Sequence, residues 1–283
     1  RDRRYLGGAP ANFAVHVTQL GDYGVLVSRV GDDGMGRDLI AALRQRQLPV
    51  EFLQRDEKKG TGTVMVTLDV TGAPSFRCSQ DVAFDYLQYT PELETLAKKT
   101  DAVLFGTLAQ RSPATRQTIL RFLRSAAPNA VRLFDVNSRA SAAELQNLVP
   151  ASLEVANALK MNHAEMKLLQ TILRRDGDPP RKFIDYLIKK YALRIVAVTY
   201  GREGCEIFDG NQVCKTAGLS VYVTDTTGAG DAFCAGLIRK LLRGVPLREM
   251  AEYANLLGAY LCTQSGATPI FRWEDIENFR ESL

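Results

Sequence analysis

Apolar positions along this chain switch between two periods, and the switches mark its elements. Phe13, Val17 and Leu20 recur at helical spacing, so a helix is expected from Pro10 to Leu20, closed by Gly21. Arg4–Leu6, just ahead, reads as a short strand. Val25–Val30 reads as a buried strand, and a glycine-rich turn leads from it into a helix over Arg37–Gln47. Over Thr61–Val70 the period drops to two. Thr63, Met65, Thr67 and Asp69 alternate with Val64, Val66, Leu68 and Val70. Thr71–Pro74 makes a turn and Ser75–Cys78 returns, which gives an antiparallel hairpin with one polar face.

From Asp101 onward, short apolar runs alternate with amphipathic ones. Strands are expected at Ala102–Phe105, Val131–Asp135, Ala158–Met161 and Ile195–Thr199. Helices are expected at Pro113–Ala126, Ala142–Leu148, Ala164–Leu173 and Pro180–Tyr191. This order predicts a parallel sheet covered on both faces, with ligands at the carboxyl ends of its strands. Three of those ends are polar: Asp135-Val136-Asn137-Ser138-Arg139, Asn162-His163-Ala164-Glu165 and Thr199 through Gly204. Val221–Val223 reads as one more strand. It turns through Gly228-Ala229-Gly230-Asp231 into a helix whose apolar face is Phe233, Leu237, Ile238 and Leu241. Further helices are expected at Leu247–Thr263 and Trp273–Phe279.

Composition narrows the classes. No run of about 18 apolar residues exists, so no membrane span is expected. Net charge is +4, from 36 basic and 32 acidic residues mixed along 283 positions, too mild and too scattered for a nucleic-acid surface. The odd count of five cysteines, with no C-x-x-C, fits reduced thiols in a cytoplasmic protein. Only His16 and His163 are present, which leaves no histidine-rich metal site, and His16 is read as a packed helix residue.

The chemistry concentrates at the Gly-Ala-Gly-Asp turn. Two glycines free a row of N–H groups at a helix start, where the helix dipole favours an anion. Asp231 there is either a simple helix cap or a general base beside an anion hole. A dinucleotide-binding turn is weaker, because Phe233 replaces its third glycine and Asp231 would face the pyrophosphate with like charge. A P-loop is excluded here, since no Gly-Lys-Ser/Thr follows.

Two segments, Gly7-Gly8-Ala9-Pro10-Ala11-Asn12-Phe13-Ala14 and Asp225-Thr226-Thr227-Gly228-Ala229-Gly230-Asp231-Ala232-Phe233, resemble signatures of the ribokinase-type (PfkB) carbohydrate kinases. The resemblance runs through nearly the whole chain. It implies an α/β fold, a ribokinase-like three-layer sandwich with a mainly parallel central sheet and a small β lid. The core is expected over 8–57 and 88–283, with the lid over 1–7 and 58–87. The implied activity is ATP-dependent phosphorylation of a sugar hydroxymethyl group, with Asp231 as base and Gly228, Ala229 and Gly230 as anion hole. Asn162 and Glu165 match the pair that organises magnesium, Glu165 through water, and the phosphates. Thr199, Gly201 and Gly204 match the nucleotide-side loop, and Asn255 a residue beside the adenine. Asp225 and Thr227 match a monovalent-cation (potassium) loop, completed by backbone near Gly266. Gly7, Gly8 and Asn12 match the sugar-binding turn, and Asp32 a residue close to it.

Within the family, the Gly-Gly turn, Asp135-x-Asn137-x-Arg139 and Asp81–Asp85 are most like fructokinases, which makes fructose the first choice of acceptor. Arg77 and Arg139 suit an acidic sugar, since arginine pairs bidentately with carboxylates, so 2-keto-3-deoxygluconate stays an alternative beside ribose. A non-catalytic, kinase-like binding protein is the reading from a different class. Family members carry a strand and an acidic sugar-binding residue ahead of the Gly-Gly turn, and these are expected upstream of Arg1. The partners expected are a small sugar and ATP. The lid leaves both a homodimer and a monomer open.

Overall fold

The structure is a computed structural model that describes residues 5–68, 74–138 and 142–283. Its elements run, in chain order, α1 (Ala9–Gln19), β1 (Ser28–Gly31), α2 (Gly34–Gln45), β2 (Leu53–Asp56), β3 (Val64–Leu68) and β4 (Pro74–Cys78). Then follow α3 (Pro91–Lys99), β5 (Ala102–Gly106), α4 (Pro113–Ser125), β6 (Val131–Asp135), α5 (Ala142–Val155), β7 (Ala158–Asn162) and α6 (His163–Ile172). The last are α7 (Pro180–Tyr191), β8 (Ile195–Thr199), β9 (Gly204–Phe208), β10 (Val213–Ala217), α8 (Ala229–Leu242), α9 (Leu247–Cys262) and α10 (Trp273–Glu281).

Among the described residues six strands form the central sheet, in the order β10-β9-β8-β7-β6-β5. Strands β5 to β8 are parallel, and β9 and β10 add an antiparallel edge. Strand residues alternate between two cores. Phe134, Leu159, Met161, Val196 and Val198 pack against Leu123, Leu169 and Phe183 of α4, α6 and α7. On the other face Leu133, Ala158, Ile195 and Ala197 meet Phe233, Cys234, Leu237 and Ala254 of α8 and α9. Burial on both faces explains why β7 and β8 read as apolar runs rather than as alternation. A helix–sheet–helix sandwich with a mainly parallel sheet results, as the chain pattern predicts.

Two smaller sheets stand apart. β1 and β2 pair in parallel, and β3 and β4 form the expected hairpin, with Met65 opposite Arg77. Val64, Met65 and Val66 of that hairpin are exposed.

Three expected strands need correction. Of the strand expected at Arg4–Leu6, Arg4 lies outside the described residues and Tyr5 and Leu6 have no strand structure, and β1 begins only at Ser28, leaving Val25–Val27 as coil. Val221–Val223 is also coil. Tyr222 is 89% exposed, and the N–H groups of Thr224 and Asp225 donate to the Cys262 carbonyl at the end of α9, not to a strand. β-branched and aromatic residues make a strand only where a neighbour accepts their backbone.

Candidate active site

The Gly-Ala-Gly-Asp turn is fixed from behind by the loop after α9. Gly228 has a φ of +83°, and a Cβ on it would lie 2.6 Å from the Ala267 carbonyl oxygen, so only glycine fits. Asp225 ties the two loops together. Its Oδ1 accepts from the Thr227 N–H at 2.9 Å and its Oδ2 from the Gly266 N–H at 3.0 Å. Burial alone would raise the Asp225 pKa, but these N–H groups and the Thr227 hydroxyl hold it below the ordinary carboxylate value. With Gly228 as N-cap, α8 then starts at Ala229, and its first turn lies against Lys160 of β7, whose Nζ would be 3.3 Å from a Cβ on Gly230.

Asp231 sits in that first turn and is 7% exposed. Its Oδ2 accepts from Asn12 Nδ2 at 2.8 Å, across 219 residues of sequence. Asn12 is itself buried in the first turn of α1, and its Oδ1 has no hydrogen-bond partner among the described residues. A buried orphan acceptor beside a carboxylate suits a ligand hydroxyl that donates to one and then yields its proton to the other. Gly7 and Gly8 lead into this helix exposed, with open space around them, and Gly8 requires glycine for its φ of +97°.

Asn162 and Glu165 form a reciprocal helix cap at the end of β7. Asn162 Oδ1 accepts from the Glu165 N–H at 2.9 Å, and Glu165 Oε2 accepts from the Asn162 N–H at 2.8 Å. Glu165 Oε1 also accepts from the Ser138 N–H at 2.9 Å, which joins the loops after β6 and β7. Each oxygen keeps a second lone pair that can accept from a metal-bound water. Among the described residues no three acidic, histidine or cysteine side chains converge on one point.

Thr199 pairs with Asn162 at the adjacent strand end. Gly201, with a φ of +60°, starts the turn after it in open space, whereas Gly204, with a φ of +100°, is a close crossing: a Cβ there would meet the Thr216 carbonyl oxygen at 2.0 Å. Asn255 on α9 donates to the Ala217 carbonyl at 2.9 Å at the end of β10. The structure therefore brings Asn12, Asn162, Glu165, Thr199, Asp225 and Gly228–Asp231 to one end of the sheet.

Other expected residues lie differently. Asp32 is half-exposed and pairs with Arg55 at 3.2 Å. Its neighbour Asp33 holds the more specific place. Asp33 Oδ1 caps α2 through Gly36 N–H, and its Oδ2 accepts the Thr61 N–H just before the hairpin. Arg77 is exposed on β4, and Arg139 falls outside the described residues. Two contacts escaped the sequence reading. Arg111 makes a two-pronged pair with Asp85 at 2.8 Å and donates to the Ser79 carbonyl at the foot of the hairpin. Lys160, inside β7, donates to Asp135 Oδ1 at 3.0 Å with both side chains buried. Burial pulls the Lys160 pKa down, but Asp135, with Cys234 and Glu165 beyond it, raises it above the ordinary lysine value, so the ammonium stays charged. A lysine in an apolar run is legible, but its partner on the neighbouring strand is not.

A model of the pfkB family carbohydrate kinases matches residues 1–273. A fructokinase from Escherichia coli is 30% identical over 271 residues, covering 92% of this chain and 87% of its own. An uncharacterized sugar kinase from Pyrococcus horikoshii, solved in complex with ATP, superposes with a TM-score of 0.80 at 28% identity, covering 98% of this chain and 90% of its own. The aminoimidazole riboside kinase of Salmonella enterica, solved with its riboside and an ATP analog, superposes with a TM-score of 0.76 at 25% identity, covering 97% and 91%.

Proposed function

This chain belongs to the pfkB family of carbohydrate kinases and is a phosphotransferase acting on a sugar hydroxyl; we propose that it moves the γ-phosphoryl group of ATP to a primary hydroxyl of fructose, with Asp231 as the base. The contact between Asp231 and Asn12 carries this reading. The Asn12 amide orients the carboxylate, and its own carbonyl oxygen accepts from the incoming hydroxyl. As the new oxygen–phosphorus bond forms, the hydroxyl proton passes to Asp231 and the bond to the leaving ADP oxygen breaks.

The N–H groups of Gly228, Gly230 and Asp231 face the charge on the transferring group and need no reorganisation, because Gly228 is fixed against Ala267, while the Ala229 N–H is already donated to the Thr226 carbonyl at 3.3 Å. Asn162 and Glu165 would hold magnesium through its waters; when bound, the ion neutralises phosphate charge. Asp225, kept ionised by its N–H partners, would balance a potassium ion near Thr227. The β3–β4 hairpin acts as a lid that excludes water from the sugar, with 8–57 and 88–283 as the core beneath it.

Fructose rests on the fructokinase relative and on the Asp135-x-Asn137-x-Arg139 pattern. An ADP-release assay over fructose, 2-keto-3-deoxygluconate, ribose and an adenosine control tests it. Turnover with fructose alone is the expected result. Turnover with ketodeoxygluconate instead would replace fructose and make Arg77 and Arg139 carboxylate readers. Silence with every sugar while ATP still binds would favour a non-catalytic binding protein.

A further inference from the structure

The buried pair of Lys160 and Asp135 lies directly behind the anion hole. Position 160 faces α8, because it alternates with Leu159 and Met161, which enter the opposite core. Ala158 and Ala197, on the same face as Lys160, are small and apolar, as this core demands. A charge here opposes the pattern of the strand, and an apolar pair of similar volume would be equally stable or more so. The retained charge therefore needs a reason other than packing.

Gly230 supplies one. A Cβ built on Gly230 would lie 3.3 Å from Lys160 Nζ, so the ammonium sits against the backbone of the first turn of α8. A cation at a helix N-terminus is unfavourable, since the end already carries partial positive charge. The arrangement becomes favourable when an anion occupies the far side of the same turn. Asp135 takes one of the three ammonium N–H groups and holds Nζ at this depth.

Resting on the kinase reading above, we propose that Lys160, held by Asp135, is a positioning residue whose fixed charge acts through the Gly230 backbone to stabilise the transferring phosphoryl group. It does not touch substrate. It sets the potential of the hole, an effect felt more by the transition state than by bound ATP.

The test replaces the pair by apolar residues of similar size, Lys160→Met with Asp135→Leu, in the whole chain. Lys160→Gln is the second variant. It keeps a donor for Asp135 and loses only the charge, should the apolar pair fail to fold. The expected result is a fall in kcat of about 10²-fold, with KM for ATP and sugar within about threefold and an unchanged melting temperature. Binding of ADP with aluminium fluoride, a mimic of the transferring group, should weaken by a similar factor while binding of ADP alone holds. A folded variant with wild-type kcat and wild-type affinity for the mimic would overturn the proposal, as would a lowered melting temperature with kcat unchanged in the folded fraction. If the wild type turns over no sugar, the kinase reading fails instead, and the binding arm still judges Lys160.

Discussion

In the proposed mechanism Asn12 and Asp231 carry the chemistry, and their roles can be separated by substitution. Asn12→Ala removes the amide that orients Asp231 and the carbonyl that receives the hydroxyl. Turnover is expected to fall by about 10–10²-fold with ATP affinity retained, the scale of misplacing a reacting group by about 1 Å. Steady-state kinetics with separate ATP titration checks this. His16, on the next turns of the same helix, is a different case. It is 1% exposed, stacks on Phe271, and neither ring nitrogen has a well-aligned hydrogen bond among the described residues. Burial lowers its pKa from 6.5 to about 4, the Ala267 backbone pulls part of the way back, and Arg46 adds a smaller repulsion that lowers it again. The folded pKa lies below the unfolded one, so the unfolded chain binds the proton first. Stability from neutral His16 is therefore complete above pH 6.5 and is lost as pH falls toward 4, by about 3 kcal/mol in all. His16→Leu should flatten the stability profile between pH 6.5 and 4 in denaturant titrations. An unchanged slope would refute this account of His16.

At the scale of elements, Asp33 links α2 to the hairpin. Asp33→Ala removes a helix cap and the anchor of Thr61, so a loss of about 1–2 kcal/mol is expected. If the hairpin is the proposed lid, loosening its entry should raise KM for the sugar while KM for ATP stays put, and thermal melts with two-substrate kinetics read both effects. Sequence reading fared unevenly at this scale. The helices over Pro113–Ser125 and Pro180–Tyr191 were legible because one apolar face repeats over three turns. β9 and β10 were not, because β10 is an edge strand with exposed Val213, Lys215 and Ala217, and no apolar run announces it. Val221–Val223 misled for the opposite reason: it has strand composition without a strand beside it. In the candidate site, motif residues with a local duty, such as Asn162 and Glu165 in their cap, could be read directly. Asp33 could not be told from Asp32, since only the fold shows which one meets Thr61.

For the whole molecule, the sheet places its carboxyl strand ends under the start of α8, and two distant chain segments complete the site there. Ligands that bridge those segments stabilise the fold by mass action. At about 100 times its dissociation constant, ATP with magnesium should add about 2.7 kcal/mol to stability, read as a rise in melting temperature. No such shift is expected with NAD, because Phe233 stands where a dinucleotide-binding turn needs its third glycine. The most direct test of the account is ADP release with fructose by wild type and by Asp231→Asn. The account predicts fructose-dependent release by the wild type, a fall of about 10²–10⁴-fold in the variant, and ATP binding near normal in both. A variant as active as the wild type would contradict it, because the carboxylate at the head of α8 would then be a cap and not the base.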